Sequence, residues 1–582
     1  MNIKQEIINT IIKQAKLSPD EVSAYLEKSA RPELGDYSLA CFRLAKERKK
    51  SPQQIAEEIA SVIQSTDLIE KVQVAGGYVN IFLNSAKIVE FVLSQENIGL
   101  SDDGKGKTIV IDYSSPNIAK PFGIGHLRST VIGNALYKIY ESLGYKCVGI
   151  NFIGDWGTQF GMLIADYKEN PNLYERPDEH SYAHPDLPTS FLAQRYVAYN
   201  ERCKSDPTLL EKARMEFKKL EERSPENLDL WIRFKEYSIK EFERIYSILD
   251  VKFDLYQGEE FYNHFVEGTI KEIEQKRLTQ ISEGALIVDL SKYNMPPCLL
   301  RKSDGATLYA ARDIASAIHR YNTYKFHKMI YVVGSDQKLH FRQVFKVLEL
   351  MGYEWAKDCI HVDFGLVRFK DASGDKQKMS TRKGTTILLE DVLEESVHRS
   401  LSIMQNRPSE LADKVSSNNI YNVTKAVGIG AIIFNDLKNK RIKDVDFDWS
   451  QVLSFDGETG PYLQYTHTRL ASLLEKYNQL TSNLKPLTCN FALLNTPEEI
   501  AIIKVLGEFP DIIQQSAEQY EPSILSNYLL NLSSLFNRYY QYHRIISDSA
   551  EISAARISLV HLLKGIFSQG LTLLGITPLE KM

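Results

Sequence analysis

Residues 108–113 (Thr-Ile-Val-Ile-Asp-Tyr) form an apolar, β-branched run. They lead into the turn Ser114-Ser115-Pro116-Asn117-Ile118-Ala119-Lys120-Pro121-Phe122-Gly123-Ile124-Gly125. A helical pattern follows at once, Val131-Ile132-Gly133-Asn134-Ala135-Leu136-Tyr137. A strand that ends in a glycine-bearing loop and opens a helix is the first unit of a doubly wound parallel sheet. It is also a phosphate site. The loop lets backbone approach a ligand, and the helix N-terminus offers unpaired N–H groups and the positive end of a dipole. Lys120, His126 and Arg128 add side-chain donors to that terminus. The stretch therefore points to nucleotide chemistry.

The 582 residues are too many for one core and predict three or four domains. With 43% hydrophobic and 25% charged residues the composition is that of a soluble globular protein. A net charge of -5 excludes a globally basic nucleic-acid coat but leaves room for a local basic face. The six cysteines are scattered without a CxxC pair, so neither a disulfide framework nor a zinc site is expected, and a reducing compartment fits. The chain shows no apolar run of about 18 residues and no signal or transit pattern at its start, so no membrane span and a cytoplasmic location are expected.

The pattern divides the chain into a multidomain α/β plus α protein. Residues 1–105 read as a small α/β module. It has a helix over 3–16, helical material over 44–63 broken at Ser51-Pro52, and a strand over 72–83 bent at Gly76-Gly77. A polar, glycine-containing linker spans 101–107. Residues 106–425 carry the Rossmann-like parallel sheet, whose strands resume at 329–334, around a helical insertion at about 165–300. Residues 426–582 are almost wholly helical and predict an all-α bundle.

Two further segments carry chemistry. Lys376-Gln377-Lys378-Met379-Ser380-Thr381-Arg382-Lys383-Gly384-Thr385 is a basic, glycine-containing loop after a strand-like run at 361–367. Most lysine-rich loops are solvated faces. A cationic loop can also close over a triphosphate and meet charge as pyrophosphate leaves. In the other segment Tyr309 and Asp313 stand four apart, on one face of a helix. A carboxylate there can pair with a neighbouring Arg, or take the fork of N–H donors of a guanidinium, with the phenol adding contact.

The stretch from Ser114 through His126-Leu127-Arg128-Ser129-Thr130 resembles the HIGH-motif region of arginyl-tRNA synthetases, which are class I aminoacyl-tRNA synthetases. The loop at 376–385 resembles their KMSKS segment in its Met-Ser-Thr-Arg-Lys-Gly form. Further matches are Gly154-Asp155-Trp156-Gly157, which would shape the site, Gly77-Tyr78-Val79-Asn80, and Gly460-Pro461-Tyr462-Leu463-Gln464-Tyr465.

The resemblance implies arginine–tRNA ligation: ATP, with Mg²⁺, activates L-arginine to arginyl-adenylate, and the arginyl group passes to the 3'-terminal ribose of tRNA(Arg). Catalysis falls to Lys120, His126, Lys378 and Arg382. ATP would lie against Pro116, Phe122, Gly123, Ile124, Gly125, His126, Lys378, Met379 and Ser380. Arginine would be held by Asp112 at its ammonium, Asn117 at its carboxylate, and Tyr309, Asp313 and Gln337. Contacts to tRNA fall to Tyr78 and Asn80 at the elbow, and to Tyr462, Gln464, Tyr465 and Arg469 at the anticodon. The resemblance also implies a monomer, no structural metal, and activation that requires bound tRNA.

Two departures stand out. Gly123 occupies the place of the motif's first histidine, and Thr381 that of the second KMSKS lysine, a charge that Lys120 would supply. Gly123 motivates one alternative, a tRNA-binding paralogue without catalysis, against which stand Lys120, His126 and Lys378. The other alternative is a different class I synthetase, such as a cysteine enzyme. Tyr309 with Asp313, and the absent zinc-type Cys/His set, oppose it.

Overall fold

The computed structural model describes residues 3–29, 31–95, 98–118, 120, 122–174, 191–370, 376–378, 387–405, 417–482 and 489–582. The N-terminal module opens with the helix Ile3–Ala15. Its antiparallel sheet contains β1 (Leu26–Lys28), β2 (Tyr37–Ala40), β3 (Ile69–Ala75) and β4 (Tyr78–Leu83), in the order β1-β2-β4-β3. The helical stretch breaks at Ser51-Pro52, as its sequence predicts. Ser51 accepts from the backbone N–H of Gln54, whose side chain answers the Ser51 N–H, and Pro52 opens the helix Pro52–Val62. The strand expected over 72–83 is a hairpin, β3 and β4, turned at Gly76-Gly77.

The central unit starts with β5 (Thr108–Asp112), the helix Gly125–Ser142 and β6 (Lys146–Asn151). The helices Phe191–Ser205, Pro207–Glu221 and Pro225–Leu249 follow, and then the two-residue β7 (Leu255–Tyr256). The insertion is not helical throughout. Before it ends, β8 (Thr279–Ser282), β9 (Ala285–Val288) and β10 (Cys298–Arg301) form an antiparallel sheet. The chain then crosses to the other side of β5 with β11 (Lys328–Gly334) and β12 (Cys359–Phe364).

The result is a sheet in the order β12-β11-β5-β6-β7, parallel at every pairing. Successive side chains on a strand point to opposite faces. Accordingly Ile109 and Ile111 join the core that extends to the C-terminal helices. Val110 between them joins a second core with the helices Glu259–Gln275, Tyr309–Tyr324 and Lys338–Leu350. Strand order reverses at β5, and open α/β sheets bind ligands in the crevice at such a switch point, beyond the C-terminal strand ends.

The boundary expected at 425 falls inside one continuous helix, Ser417–Leu437. Beyond that helix, β15 (Val445–Phe447) pairs in parallel with β13 (Val367–Lys370), which also pairs antiparallel with β14 (Lys376–Lys378). The sheet-bearing unit thus reaches past residue 425, and a strand interrupts the helical pattern there. The rest is a helical bundle that includes Gly460–Thr481, Ser523–Tyr542 and Ala550–Leu573. A buried ion pair, Arg128–Asp436 at 2.9 Å, joins the helix after β5 to the helix Ser417–Leu437.

Candidate active site at the C-terminal ends of the parallel strands

The turn after β5 is conformationally demanding. Ser114 and Ser115 both take positive φ, +69° and +50°, which costs a non-glycine residue on the order of 1 kcal/mol or more and persists only where neighbours enforce it. The enforcement comes from the motif's own helix. Ser129 Oγ accepts from the Ser114 N–H at 2.9 Å and donates to the Val332 carbonyl at 2.6 Å. Thr130 Oγ1 donates to Ser114 Oγ at 2.8 Å, and Tyr246 Oη lies 2.7 Å from that same oxygen. The Ser-Thr that ends the sequence motif therefore clamps its beginning.

Within the motif, Gly125 begins the helix and is exposed, and a side chain there would meet open space. His126 is half-buried beside it. Its Nδ1 is 3.2 Å from the Gly123 carbonyl, and its ring stacks on Phe122 with centroids 5.0 Å apart. Burial pushes the His126 pKa down; the contact with Gly123 opposes this, and Lys120 adds to it. Lys120 is exposed.

Pro116, Phe122, Gly123 and Ile124 are buried. The rings of Phe242 and Tyr246 lie 5.5 and 5.6 Å from that of Phe122, so its side chain supports His126 from beneath instead of facing a nucleotide. Ile124 likewise belongs to the core, which leaves its backbone for any ligand contact. The segment after the KMSKS-like loop is stitched to this turn. The Ile124 N–H donates to the Ile387 carbonyl at 3.2 Å, and the Leu389 N–H to the Phe122 carbonyl at 2.9 Å. Lys378 is placed by its backbone at the end of β14, whereas Met379, Ser380 and Arg382 lie outside the described residues.

The loop after β6 packs directly on the motif turn. The Ile118 N–H donates to the Gly154 carbonyl at 3.1 Å, and the Gly154 N–H to the Pro116 carbonyl at 3.0 Å. A Cβ on Gly154 would stand 2.1 Å from Asn117 Oδ1, so only glycine lets the half-buried Asn117 sit here. The next residue, Asp155, is fully buried. Its carboxylate takes Lys235 Nζ at 2.6 Å and the Glu260 N–H at 2.9 Å. Gly258 is needed for the same close approach, since its Cβ would be 2.3 Å from that carboxylate.

Asp155 thereby fixes the turn that presents Glu259, a residue the motif reading missed. The signal was the end of a fifth strand, but β7 has only two residues and no legible pattern. Arg312 Nη1 lies 3.2 Å from Glu259 Oε2. Burial pushes the Glu259 carboxyl up to about 7, with Arg312 and Lys120 pulling it down and Asp155 and Asp313 adding to the rise. Asp313 and Lys120 thus both stand close enough to Glu259 to act on its charge.

Tyr309 is the first residue of the helix Tyr309–Tyr324, is 65% exposed, and lies under the Arg312 guanidinium at 5.7 Å. Asp313, one turn further on, is 2.5 Å from His340 Nε2. Gln337 is exposed in the turn between β11 and the helix Lys338–Leu350.

Three sequence expectations meet a different arrangement. Asp112 is buried with both oxygens engaged, by Arg320 Nη1 at 2.8 Å and Ser115 Oγ at 2.9 Å. The Arg320 guanidinium is ringed by Phe152, Tyr262 and Tyr331 at 5.3–5.7 Å. Asp112 thus neutralises an internal cation and is not an open partner for a substrate ammonium. Asn80 is buried and accepts from Ser38 Oγ at 2.7 Å, so it is not open to RNA, whereas Tyr78 is exposed and meets exposed Phe42 edge-to-face at 5.1 Å. Gln464 is fully buried. Its Nε2 donates to the carbonyls of Ala426 and Thr577, so it fastens the bundle instead of reading RNA.

The other expected anticodon residues do share a face. The Arg469 guanidinium lies 4.8 Å from the Tyr465 ring and 5.3 Å from the Tyr540 ring, and Arg469 Nη1 donates to Asn537 Oδ1. Tyr462 Oη accepts from Asn537 Nδ2 at 2.9 Å. Tyr540 is itself exposed, so Arg469 joins two tyrosine rings in an aromatic, cationic patch, the kind of surface on which unstacked bases rest.

Comparison with known proteins agrees along the whole chain. Residues 1–83 match the arginyl tRNA synthetase N terminal domain, 88–449 the class I (R) tRNA synthetase catalytic domain, and 463–582 the DALR anticodon binding domain. Curated arginine–tRNA ligases of Clostridium beijerinckii and Halothermothrix orenii are 43% and 44% identical, each alignment covering all of both chains. The fold matches Thermus thermophilus arginyl-tRNA synthetase with a TM-score of 0.83 at 24% identity, over all of both chains. For the Plasmodium falciparum enzyme the TM-score is 0.80 at 24% identity, over all of this chain and 99% of that one.

Proposed function

The chain belongs to the arginyl-tRNA synthetases, and from that premise we propose that it ligates arginine to tRNA(Arg) at the crevice beyond β5 and β11. The observation that carries the site assignment is the grouping of Glu259 with Asp313 and Lys120, whose charges act on it, and of Lys120 with His126 at the motif turn. Two neighbouring carboxylates suit a guanidinium, and a lysine with an imidazole beside a helix N-terminus suits a triphosphate. Arginine's carboxylate attacks the α-phosphate of ATP, which enters with Mg²⁺ on its phosphates, and pyrophosphate leaves. The terminal ribose hydroxyl of tRNA then attacks the carbonyl of arginyl-adenylate and AMP departs. No enzyme nucleophile takes part; positioning and charge stabilisation supply the rate.

Asn117, Gln337 and Tyr309 border the amino acid, while Gly125 and the backbone of Gly123 border the nucleotide. Lys378, Met379, Ser380 and Arg382 complete the phosphate side from the KMSKS-like loop. Tyr78 meets the tRNA elbow, and Tyr462, Tyr465 and Arg469 meet the anticodon. Six free cysteines suit a reducing cytoplasm, and a monomer that activates arginine only with tRNA bound completes the reading. ATP–pyrophosphate exchange across a panel of amino acids, with and without tRNA, tests it. Exchange is expected with arginine and tRNA together; exchange with another amino acid, or with none, overturns the reading.

The raised Glu259 carboxyl gives a pH dependence. A protonated Glu259 cannot attract a guanidinium, so proton and substrate compete. The KM for arginine is expected to be level above about pH 7 and to rise towards about tenfold per pH unit below it. A KM unchanged down to about pH 5.5 would contradict Glu259 as a ligand.

A further inference from the structure

Asp313 is not free to turn. His340, on the helix Lys338–Leu350, places its Nε2 2.5 Å from Asp313 Oδ2. A carboxylate oxygen only accepts, so Nε2–H donates. The imidazole is itself held: its ring meets Phe341 edge-on at 5.3 Å, and Phe341 packs on Tyr331 and His361 at 4.9 and 4.6 Å. The side chains of Asp313 and His340 are 19% and 24% exposed, so the pair lines the crevice and is not sealed in the core. Arg312, the nearest permanent cation in sequence, is committed elsewhere, its Nε to Asn263 Oδ1 at 3.0 Å and its Nη1 to Glu259.

We propose that His340 is a positioning residue for arginine: it fixes the Asp313 carboxylate by one oxygen and turns the other towards the substrate guanidinium. The proposal rests on the reading of Asp313 as a guanidinium ligand. The choice of side chain fits the task. An imidazole N–H orients a carboxylate without bringing a permanent positive charge, whereas a Lys at this place would fill the carboxylate with its own cation and exclude the substrate's. The role is also narrow. His340 touches neither the phosphate side nor the motif turn, so losing it bears on arginine and not on ATP.

Steady-state aminoacylation of the full-length enzyme tests this with His340→Leu, His340→Gln and Asp313→Asn in parallel. The Leu variant, which removes the donor, is expected to raise the KM for arginine about ten- to hundredfold. Its KM for ATP and its kcat at saturating arginine stay within about threefold of wild type, and thermal unfolding is little changed. The Gln variant, whose amide Nε2 supplies a donor at a similar reach, recovers most of the loss. The proposal is overturned if His340→Leu leaves the arginine KM unchanged while Asp313→Asn raises it. It is equally overturned if His340→Leu degrades the arginine KM, the ATP KM, kcat and stability together without rescue by Gln. An unchanged arginine KM in Asp313→Asn overturns the guanidinium reading itself.

Discussion

Asp313→Asn is expected to lower kcat/KM for arginine by about a thousandfold, close to 4 kcal/mol of lost recognition. The substitution keeps the shape of the side chain and replaces one oxygen with N–H donors that repel a guanidinium. Glu259 remains, but it is already paired with Arg312 and sits in a site that burial has made reluctant to ionise. One half-neutralised carboxylate cannot hold a delocalised cation in a crevice partly withdrawn from water. The KM for ATP is expected to stay near its wild-type value, because Asp313 stands on the helix Tyr309–Tyr324 and not on the motif turn or the helix it opens. Aminoacylation kinetics with arginine and ATP varied separately measure both quantities. A variant within about threefold of wild type in both would remove Asp313 from the site.

His126→Ala is expected to lower kcat for adenylate formation by about 10²–10³, the usual cost of one preorganised donor to a transition-state oxyanion. Nδ1 faces the Gly123 carbonyl, which can only accept, so the neutral ring carries its proton there and leaves Nε2 bare. To donate to a phosphate oxygen the ring must take up a second proton. Burial opposes that in the free enzyme, and a bound triphosphate favours it. Phe122 stays in place beneath, so the variant is expected to fold normally. Single-turnover adenylate formation separates this loss from substrate binding; a kcat unchanged by the substitution would transfer the phosphate chemistry to Lys120 and the KMSKS-like loop.

What the sequence made legible follows from the range of the forces involved. Local patterns were readable: the apolar run of β5, the helix placing Tyr309 and Asp313 one turn apart, and the break at Ser51-Pro52 all arise from neighbours in the chain. The partners of buried polar groups were not, because they come from distant segments. Asp112 reads as a carboxylate at a strand end, but Arg320, 208 residues away, has already claimed it. Gln464 reads as a polar residue beside aromatic ones, yet carbonyls at 426 and 577 hold its amide in the core. Glu259 was hidden because its strand is two residues long and its orientation depends on Asp155, from another loop. Position 425 gives no sign in the sequence that it lies inside the helix Ser417–Leu437, or that a strand after that helix pairs with β13, because both depend on distant segments.

Substrate arginine is expected to lie with its guanidinium between Glu259 and Asp313 and its carboxylate towards His126 and Lys120. The structure of the protein bound to arginine and a non-hydrolysable ATP analogue measures this directly. The guanidinium is expected within hydrogen-bonding reach, about 3 Å, of both carboxylates, with the α-phosphate on the Gly125–His126 side. A guanidinium bound away from Asp313 and Glu259, or a triphosphate seated elsewhere than the N-terminus of the helix Gly125–Ser142, would contradict it.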